Sequence, residues 1–228
     1  MKKLTAILIV VGLCVATIFA QDLEGNKSFR VSLGGGGTVT GNFSTWKVDP
    51  DIPGNLYRYN SSHLSVGPFI FFDMKFMELN FGIPLGWLNG DDTTSADPNF
   101  PAQTLALNGG AYFKVPIALT QTVTLFPLLG IDYDLYVMAK KDDDRDAKFP
   151  ISTSNLNAKP SEALNTLWFK GGVGLDTFLN DNLFIRTELL YGFRLKNEME
   201  KYLYDQRPDS NRMLGNGGTF KLAVGYRF

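Results

Sequence analysis

The last ten residues of the chain alternate strictly between large apolar side chains and polar or small ones. In residues 219–228, which read TFKLAVGYRF, every second position is aromatic or aliphatic, and the final residue is Phe228. A period of two indicates a β-strand, because successive side chains of a strand point to opposite faces. A strand with one apolar and one polar face fits a soluble sheet or a membrane barrel with a polar lumen. The remaining chain has to decide between these two folds.

Seven further segments show the same alternation, so we predict eight strands. Long polar loops alternate with tight joins between them, which is the layout of an up-and-down barrel with turns at one end and loops at the other. The sequence therefore predicts an all-β fold, an eight-stranded antiparallel up-and-down β-barrel over residues 29–228. The predicted strands cover residues 29–40, 63–73, 75–88, 103–119, 121–139, 166–178, 183–196 and 219–228.

The apolar face of the predicted strands carries no charged residue. It has roughly 50 positions, and at 20% charged residues in the whole chain about ten charges would be expected there by chance. In a soluble, lipocalin-like barrel this face would point inward, but the interior of eight strands has no room for so many large side chains. We therefore predict a transmembrane barrel whose apolar face meets lipid, where closure satisfies every strand hydrogen bond.

The N-terminal segment resembles a secretory signal peptide. Lys2 and Lys3 precede an apolar run that ends near Ala20 and is shorter than a membrane-spanning helix. We predict cleavage after Ala20, so that residues 1–20 are the signal peptide and residues 21–28 a short lead into the barrel. A retained anchor and a lipoprotein signal at Cys14 are the alternatives. Cleavage removes Cys14, the only cysteine, and with it any disulfide or thiol chemistry.

Composition and spacing exclude several kinds of site. Without the two lysines of the signal, 20 of the 22 basic residues remain against 23 acidic ones, which excludes a nucleic-acid footprint. The four glycines 34–37 match no phosphate-loop spacing, and we expect no cofactor. The acidic run from Asp142 to Asp146 lacks the glycine and distal Glu of a calcium loop, so we expect solvated charges there rather than a metal site.

Four prolines, Pro68, Pro84, Pro116 and Pro127, fall inside the predicted strands. Each removes a hydrogen-bond donor from a sheet that has no free edge. We therefore expect bulges or locally broken pairing at these positions.

The signal peptide, the meander and the terminal Tyr226-Arg227-Phe228 together resemble the small eight-stranded outer-membrane barrels of diderm bacteria, the OmpA-transmembrane, OmpX and OmpW-like group. The resemblance covers nearly the whole mature chain, and the terminal motif is its specific part. It implies a location in the outer membrane, contact with its lipid, and recognition of Tyr226 and Phe228 by the barrel-assembly machinery. Functions differ widely among such barrels, so the fold alone does not select one.

The polar face places twelve charged residues in the predicted lumen, seven basic and five acidic. Unpaired charges in a narrow interior are costly, so we expect ion pairs and trapped water that plug the lumen. Asp176 and Arg186 flank the third tight turn and are expected to be cross-strand neighbours, and Lys170 is expected to meet Asp132 or Asp134. The full set is Arg30, Glu78, Lys114, Asp132, Asp134, Lys170, Asp176, Arg186, Glu188, Arg194, Lys221 and Arg227.

Large apolar residues share this inward face and allow two interpretations. They could fill the interior, or they could form a path for small hydrophobic molecules, as in OmpW-like proteins. These residues are Phe69, Phe71, Tyr112, Phe126, Leu128, Trp168 and Leu190.

The best candidates for catalysis are His63, the only histidine, and Ser65 on the same strand face. A His-x-Ser pair resembles that of some outer-membrane lipases, including an eight-stranded lipid A deacylase. No orienting acid is evident here, so a structural histidine is the simpler interpretation. Asp132 and Asp134 could mimic a carboxylate pair, but the nearby lysines favour ion pairing.

These observations predict a non-enzymatic outer-membrane barrel with a structural or surface-interaction role. A narrow channel for small hydrophobic molecules is the alternative, and a lipid-modifying enzyme is a third hypothesis. Aromatic loop residues are candidates for contact with a host or cell-surface ligand, or for the membrane interface. They are Phe43, Trp46, Tyr57, Tyr59, Tyr202 and Tyr204.

Overall fold

The structure is a computed structural model and describes residues 31–46, 59–91, 102–141, 145–149, 151–152, 154–195, 197–205 and 215–228. The predicted signal peptide, the lead and Arg30 lie outside these ranges and stay predictions. Within the described ranges, neither helix has the length and apolar character needed to cross a membrane.

The described strands form one antiparallel sheet that closes on itself. Strand β1 pairs with β2 on one side and with β10 on the other, so the barrel has no free edge. β3 and β4 together make one barrel strand, as do β5 and β6, and this confirms the predicted eight-stranded barrel. The strands are β1 (Val31–Trp46), β2 (Tyr59–Met74), β3 (Met77–Gly82), β4 (Leu85–Asp91), β5 (Ala102–Lys114), β6 (Ile117–Ala118), β7 (Val123–Lys141), β8 (Thr166–Phe178), β9 (Leu183–Arg194) and β10 (Gly215–Arg227).

Several strands are longer at the loop end than the sequence pattern predicts. β1 continues past Thr40 and pairs with β2 up to Trp46 opposite Tyr59, and β10 begins at Gly215 rather than Thr219. These added residues are mostly polar or glycine. A strand that extends beyond the hydrocarbon needs no apolar outer face, so hydropathy does not mark its end.

Two helices lie in segments that were predicted as loops. α1 (Pro160–Ala163) precedes β8, and α2 (Glu198–Asp205) follows β9. Pro160 at the first position and Glu162, whose carboxylate accepts a hydrogen bond from the Lys159 amide at 3.1 Å, explain why α1 starts where it does. Both helices therefore belong to the long-loop end of the barrel.

The side chains are distributed as in an inverted globular protein. Leu129 and Leu189 on the outer face are 65% and 61% exposed, whereas Arg186 and Glu78 on the inner face are fully buried. The alternation of the terminal strand is confirmed, since Phe220, Leu222, Val224 and Tyr226 are exposed and the residues between them are buried. The outer face is thus the lipid face, and the lumen holds the polar groups.

The four strand prolines come in two pairs that face each other across neighbouring strands. Pro68 of β2 lies beside the break between β3 and β4 that contains Pro84, and Pro127 of β7 lies beside the break between β5 and β6 that contains Pro116. Each break thus accommodates two prolines, which limits the number of places where the sheet lacks hydrogen-bond donors. Three of the proline carbonyls still accept backbone hydrogen bonds. The Ile83 amide donates to Pro68 at 3.0 Å, the Ala106 amide to Pro84 at 3.1 Å and the Val115 amide to Pro127 at 3.2 Å.

Candidate functional site

The lumen is the part of the molecule where chemistry is concentrated. Nine of the twelve charged residues predicted there are buried, while Asp134 and Arg227 are half-buried and Arg30 lies outside the described residues. The buried charges are not spread evenly along the lumen. Some form a cluster near the tight turns, others line a polar cavity on the loop side of that cluster, and Arg194 forms an ion pair at the mouth.

Arg186 of β9 is the centre of the lower cluster. Its Nε and Nη2 donate to the two oxygens of Asp176, each at 2.7 Å, from the directly opposite position of β8. Nη1 donates to Glu78 of β3 at 2.6 Å, and Nη2 also donates to Asp73 of β2 at 2.6 Å. One guanidinium therefore ties carboxylates from both sides of the lumen, a geometry that its planar fork allows and an ammonium does not.

Asp73 is a buried lumen residue that the predicted lumen set does not contain. It is 5% exposed and pairs with both Arg186 and Lys114. Its direction can be read from the sequence, because Asp73 ends the predicted strand over residues 63–73 and lies two residues after Phe71 and four after Phe69 on the same inward face of β2. We call Arg186, Asp73, Glu78, Asp176 and Lys114 the Arg186 cluster.

Three phenyl rings surround this cluster, and each lies against a glycine of a neighbouring strand. Phe71, Phe126 and Phe184 are the direct cross-strand partners of Gly34, Gly174 and Gly225. A Cβ at any of these glycines would enter the space of the ring. The Arg186 guanidinium lies 4.3 Å from the Phe71 centroid, 4.9 Å from that of Phe126 and 5.3 Å from that of Phe184. The guanidinium thus lies among three aromatic rings as well as three carboxylates.

A second group of polar contacts lies above the Arg186 cluster. Lys170 donates to Asp132 at 2.6 Å, which is one of the two partners expected for it. Asp134 accepts instead from Asn108 at 2.7 Å and from the Trp168 indole at 2.8 Å. Lys170 thus pairs with Asp132, while neutral donors bond Asp134.

Lys221 connects Glu188 to the Arg186 cluster through Asn80. Its Nζ lies 3.2 Å from Glu188, which is directly opposite on β9, and 3.2 Å from the Asn80 side-chain oxygen across the lumen. Asn80 in turn donates to Glu78 at 2.9 Å. A continuous chain of polar contacts therefore runs from Glu188 to the Arg186 cluster.

A small polar cavity lies between the cluster and the mouth. It offers about 30 Å³ to the centre of a water molecule, which is room for about two waters. Hydroxyl, amide and charged groups provide most of its lining, among them Thr40, Asn80, Asn108, Asp132 and Lys170. Its size suits about two water molecules, and apolar groups such as Phe69 and Ala106 complete the lining.

The structure brings His63 and Ser65 to the wall of this cavity, both buried. The ring nitrogens of His63 lie 2.9 Å from the Thr104 hydroxyl and 3.4 Å from the Asn42 side-chain nitrogen. Its partners in the described part of the chain are thus neutral, and the ring also packs against Tyr136 at 5.8 Å between centroids. This arrangement holds the imidazole in place and provides no acid to activate it as a base.

At the mouth, Arg194 forms an ion pair with Glu200 of α2, which lies in a segment predicted as a loop. Nη1 of Arg194 donates to Oε2 of Glu200 at 2.7 Å, and Nη2 bonds the other oxygen. Asn197 and Glu200 also cap the helix reciprocally, since the Asn197 amide donates to the carboxylate at 3.1 Å and the Glu200 amide donates to the Asn197 side chain at 2.8 Å. The Asn-x-x-Glu spacing was the available sequence signal.

Apolar residues of the long loop before β8 close the same end. Phe149 and Ala158 face each other in a short antiparallel bridge and are buried, as are Ala163 of α1 and Leu164. They pack with inward residues of β5 and β7, including Tyr136, and with Met199 of α2. The described loop segments thus form one packed layer over the mouth.

The seven inward apolar residues of the proposed path are all buried. Phe69 and Phe71 pack with Phe184, while Tyr112, Phe126, Leu128 and Leu190 form a second cluster. Trp168 donates to Asp134 and lies beside Lys170. This packing fits the interpretation that these side chains fill the interior.

Other predicted residues lie at the two ends of the barrel. Phe43 is exposed, Tyr57 lies outside the described residues, and the side chains of the remaining loop aromatics are not among those described. Asp142 to Asp144 also lie outside the described residues, and Asp146 bridges to Lys140 through the backbone.

The C-terminal residues lie at the turn end. Tyr226 and Phe228 are exposed in an edge-to-face pair at 5.1 Å, and the Phe228 amide donates to Val31 at 2.9 Å. Arg227 lies 3.9 Å from the Phe178 centroid.

Three solved structures resemble this chain at low sequence identity. OprG from Pseudomonas aeruginosa shares 11% identity, covering 90% of this chain and 98% of its own, with a TM-score of 0.47. Ail, the attachment invasion locus protein of Yersinia pestis, shares 13% (89% and 100% covered, TM-score 0.39), and Neisserial surface protein A shares 10% (90% and 100% covered, TM-score 0.42). No curated protein matches the sequence significantly. The family model of the outer membrane protein beta-barrel domain matches residues 6–228, so the chain belongs to this family and is an integral protein of the outer membrane.

Proposed function

We propose that this protein is a closed outer-membrane barrel that conducts no solute and acts structurally or through its long-loop end at the cell surface. The observation that carries the proposal is the Arg186 cluster. A fully buried guanidinium is bonded to three carboxylates from both sides of the lumen and is surrounded by three phenyl rings. Opening a path there would require several charge-assisted hydrogen bonds to break together.

The long-loop end supports the second half of the proposal. The loop before β8 has its own buried apolar residues, and α2 docks beside it through an ion pair. The packed loop before β8 is thus a prearranged surface, which loses less entropy on binding than a flexible one. We place a host or cell-surface ligand at this end, and we place the barrel-assembly machinery at the opposite end through Tyr226 and Phe228.

We further propose that the protein is not an enzyme. The partners of His63 among the described residues are a hydroxyl and an amide, and Ser65 lies beside it in a cavity that admits about two waters. A nucleophile needs a base that is oriented by a third group and a site for substrate. His63→Ala is therefore expected to leave lipid composition unchanged when the protein is expressed in cells.

The experiment that tests the closed lumen is single-channel recording of the refolded protein, without its first 20 residues, in a planar bilayer. We expect no discrete openings, with or without a small apolar solute. A refolded barrel that shows openings blocked by such a solute would refute the proposal and favour the hydrophobic channel. Urea-unfolded protein added at the same concentration is the control for detergent artefacts.

A further inference from the structure

Helix α2 lies over the outer end of the lumen, and the structure describes the side chains of its first four residues. Of these, Met199 and Glu200 are buried, whereas Glu198 and Lys201 are exposed and pair with each other. Met199 joins the apolar layer, and Glu200 bonds Arg194 and the Asn197 amide. Among the four described side chains, Met199 and Glu200 are therefore the two that attach α2 to the barrel.

A cavity with a mixed polar and apolar lining lies beneath α2. It measures about 30 Å³, again for the centre of a water molecule, and is lined by Asn197, Met199 and Glu200 from above. From below it is lined by hydroxyl, amide, imidazole and guanidinium groups and by three apolar side chains, namely Asn42, His63, Thr166, Arg194, Tyr136, Leu88 and Leu164. When these polar groups are uncovered, water solvates them, which offsets part of the cost of exposing the apolar side chains.

This outer cavity lies directly above the polar cavity of the lumen. Asn42, His63 and Tyr136 line both cavities, so these three side chains form the partition between them. His63 is fixed there by Thr104 and is 7% exposed. A small solute that passes α2 from the outside therefore reaches His63 before it reaches the polar cavity of the lumen.

We propose that α2 is a detachable cap on the outer end of the lumen, and that the Arg194–Glu200 ion pair is its latch. When the latch is closed, the carboxylate receives three hydrogen bonds and both ions are at least nine-tenths buried. When α2 lifts, both ions gain water, and the cavities become open to water and small polar solutes from the cell exterior. The Arg186 cluster stays closed below, so lifting the cap creates a vestibule and not a pore.

The test uses His63 as a reporter, because it is the only histidine of the chain. Untagged, refolded protein is treated with diethyl pyrocarbonate, and the rate of His63 modification is followed by mass spectrometry. Glu200→Gln keeps the shape of the side chain and removes the charge that pairs with Arg194. We expect His63 to react roughly tenfold faster or more in this variant, because a broken buried ion pair favours the undocked helix.

Glu198→Gln is the matched control, since it removes an exposed carboxylate of the same helix and of the same type. It is expected to leave the rate unchanged. Replacing both Arg194 and Glu200 by Met is expected to return the rate towards that of the wild type, because an apolar pair can substitute for a buried ion pair. The shift of the folded barrel on an unheated gel verifies folding of each variant.

Three results would overturn the latch. They are an unchanged rate in Glu200→Gln, an equal acceleration in Glu198→Gln, and a double variant as reactive as Glu200→Gln. If Glu200→Gln does not fold, Arg194→Gln breaks the same ion pair from the other side, and an unchanged rate in that variant has the same meaning. The readout concerns the mouth only, so it stays valid even if the bilayer recordings refute the closed lumen.

Discussion

Neutralising Arg186 is the most direct test of the physical account of the lumen. In Arg186→Gln, Asp176 loses both hydrogen bonds that it receives from Arg186, and Glu78 and Asp73 lose one each. Asp73 keeps Lys114 and Glu78 keeps Asn80, so the loss is partly compensated. Removing one partner from a buried ion pair destabilises a protein by about 3–5 kcal/mol, and we expect a loss in this range.

A second substitution separates charge from geometry. Arg186→Lys keeps the positive charge but replaces a planar fork of donors by one ammonium, which cannot bond three carboxylates at once in the observed positions. We expect a loss of about 1–3 kcal/mol, smaller than for Gln. If charge alone mattered, the Lys variant would match the wild type.

The assay is the free energy of unfolding from urea titrations of the protein in detergent micelles, followed by tryptophan fluorescence. Lys201→Gln is the control, because Lys201 is 54% exposed and its ion pair with Glu198 is expected to contribute at most about 1 kcal/mol. Adding Asp176→Asn to Arg186→Gln should recover part of the loss, since it removes an uncompensated charge. An Arg186→Gln protein within about 1 kcal/mol of the wild type would refute the view that this cluster holds the lumen together.

Three further predictions address other parts of the barrel. Gly174→Ala should lower the free energy of unfolding by about 1–3 kcal/mol, because its Cβ would enter the space of the Phe126 ring, while Gly37→Ala, with open space around it, should change little in the same urea titration. Leu189→Arg should destabilise the barrel by about 2–4 kcal/mol when unfolded from lipid vesicles, since this 61% exposed residue faces the hydrocarbon, and an unchanged stability would place it outside the membrane. Phe228→Ala should reduce the folded protein in the outer membrane of cells but not the refolding yield in detergent; equal losses in both would indicate a structural role only.

The pattern of alternation was sufficient to predict the barrel and the direction of its side chains. Asp176 and Arg186 could be paired from the sequence because they flank one tight turn, so that local register fixes their distance. The contacts of Arg186 with Asp73 and Glu78 could not be predicted in the same way. They span 113 and 108 residues of sequence and depend on barrel diameter and strand stagger, which alternation does not encode.

The mouth was predicted less well for a different reason. Hydropathy separates lipid from water, but the loop end meets water on both sides, so strands such as β1 and β2 continue there without an apolar face. Glu200 was assigned to a loop because α2 is short and polar, although Asn197 three residues earlier is a recognisable cap. Local capping chemistry was informative where hydropathy was not.

The two ends of the barrel differ in how their interiors are packed. At the turn end, charges from five strands and three phenyl rings meet in a small volume, and a change of Arg186 removes hydrogen bonds from three carboxylates at once. Towards the loop end the wall is irregular, with a strand break at Pro84 and a register shift after Leu105. The interior there is a cavity with a mixed polar and apolar lining under a short helix. Because motion concentrates where few buried contacts must break, the turn end provides stability and the loop end provides the surface that can change. Activity at the cell surface is therefore expected from the loop layer and α2, while the barrel below anchors them.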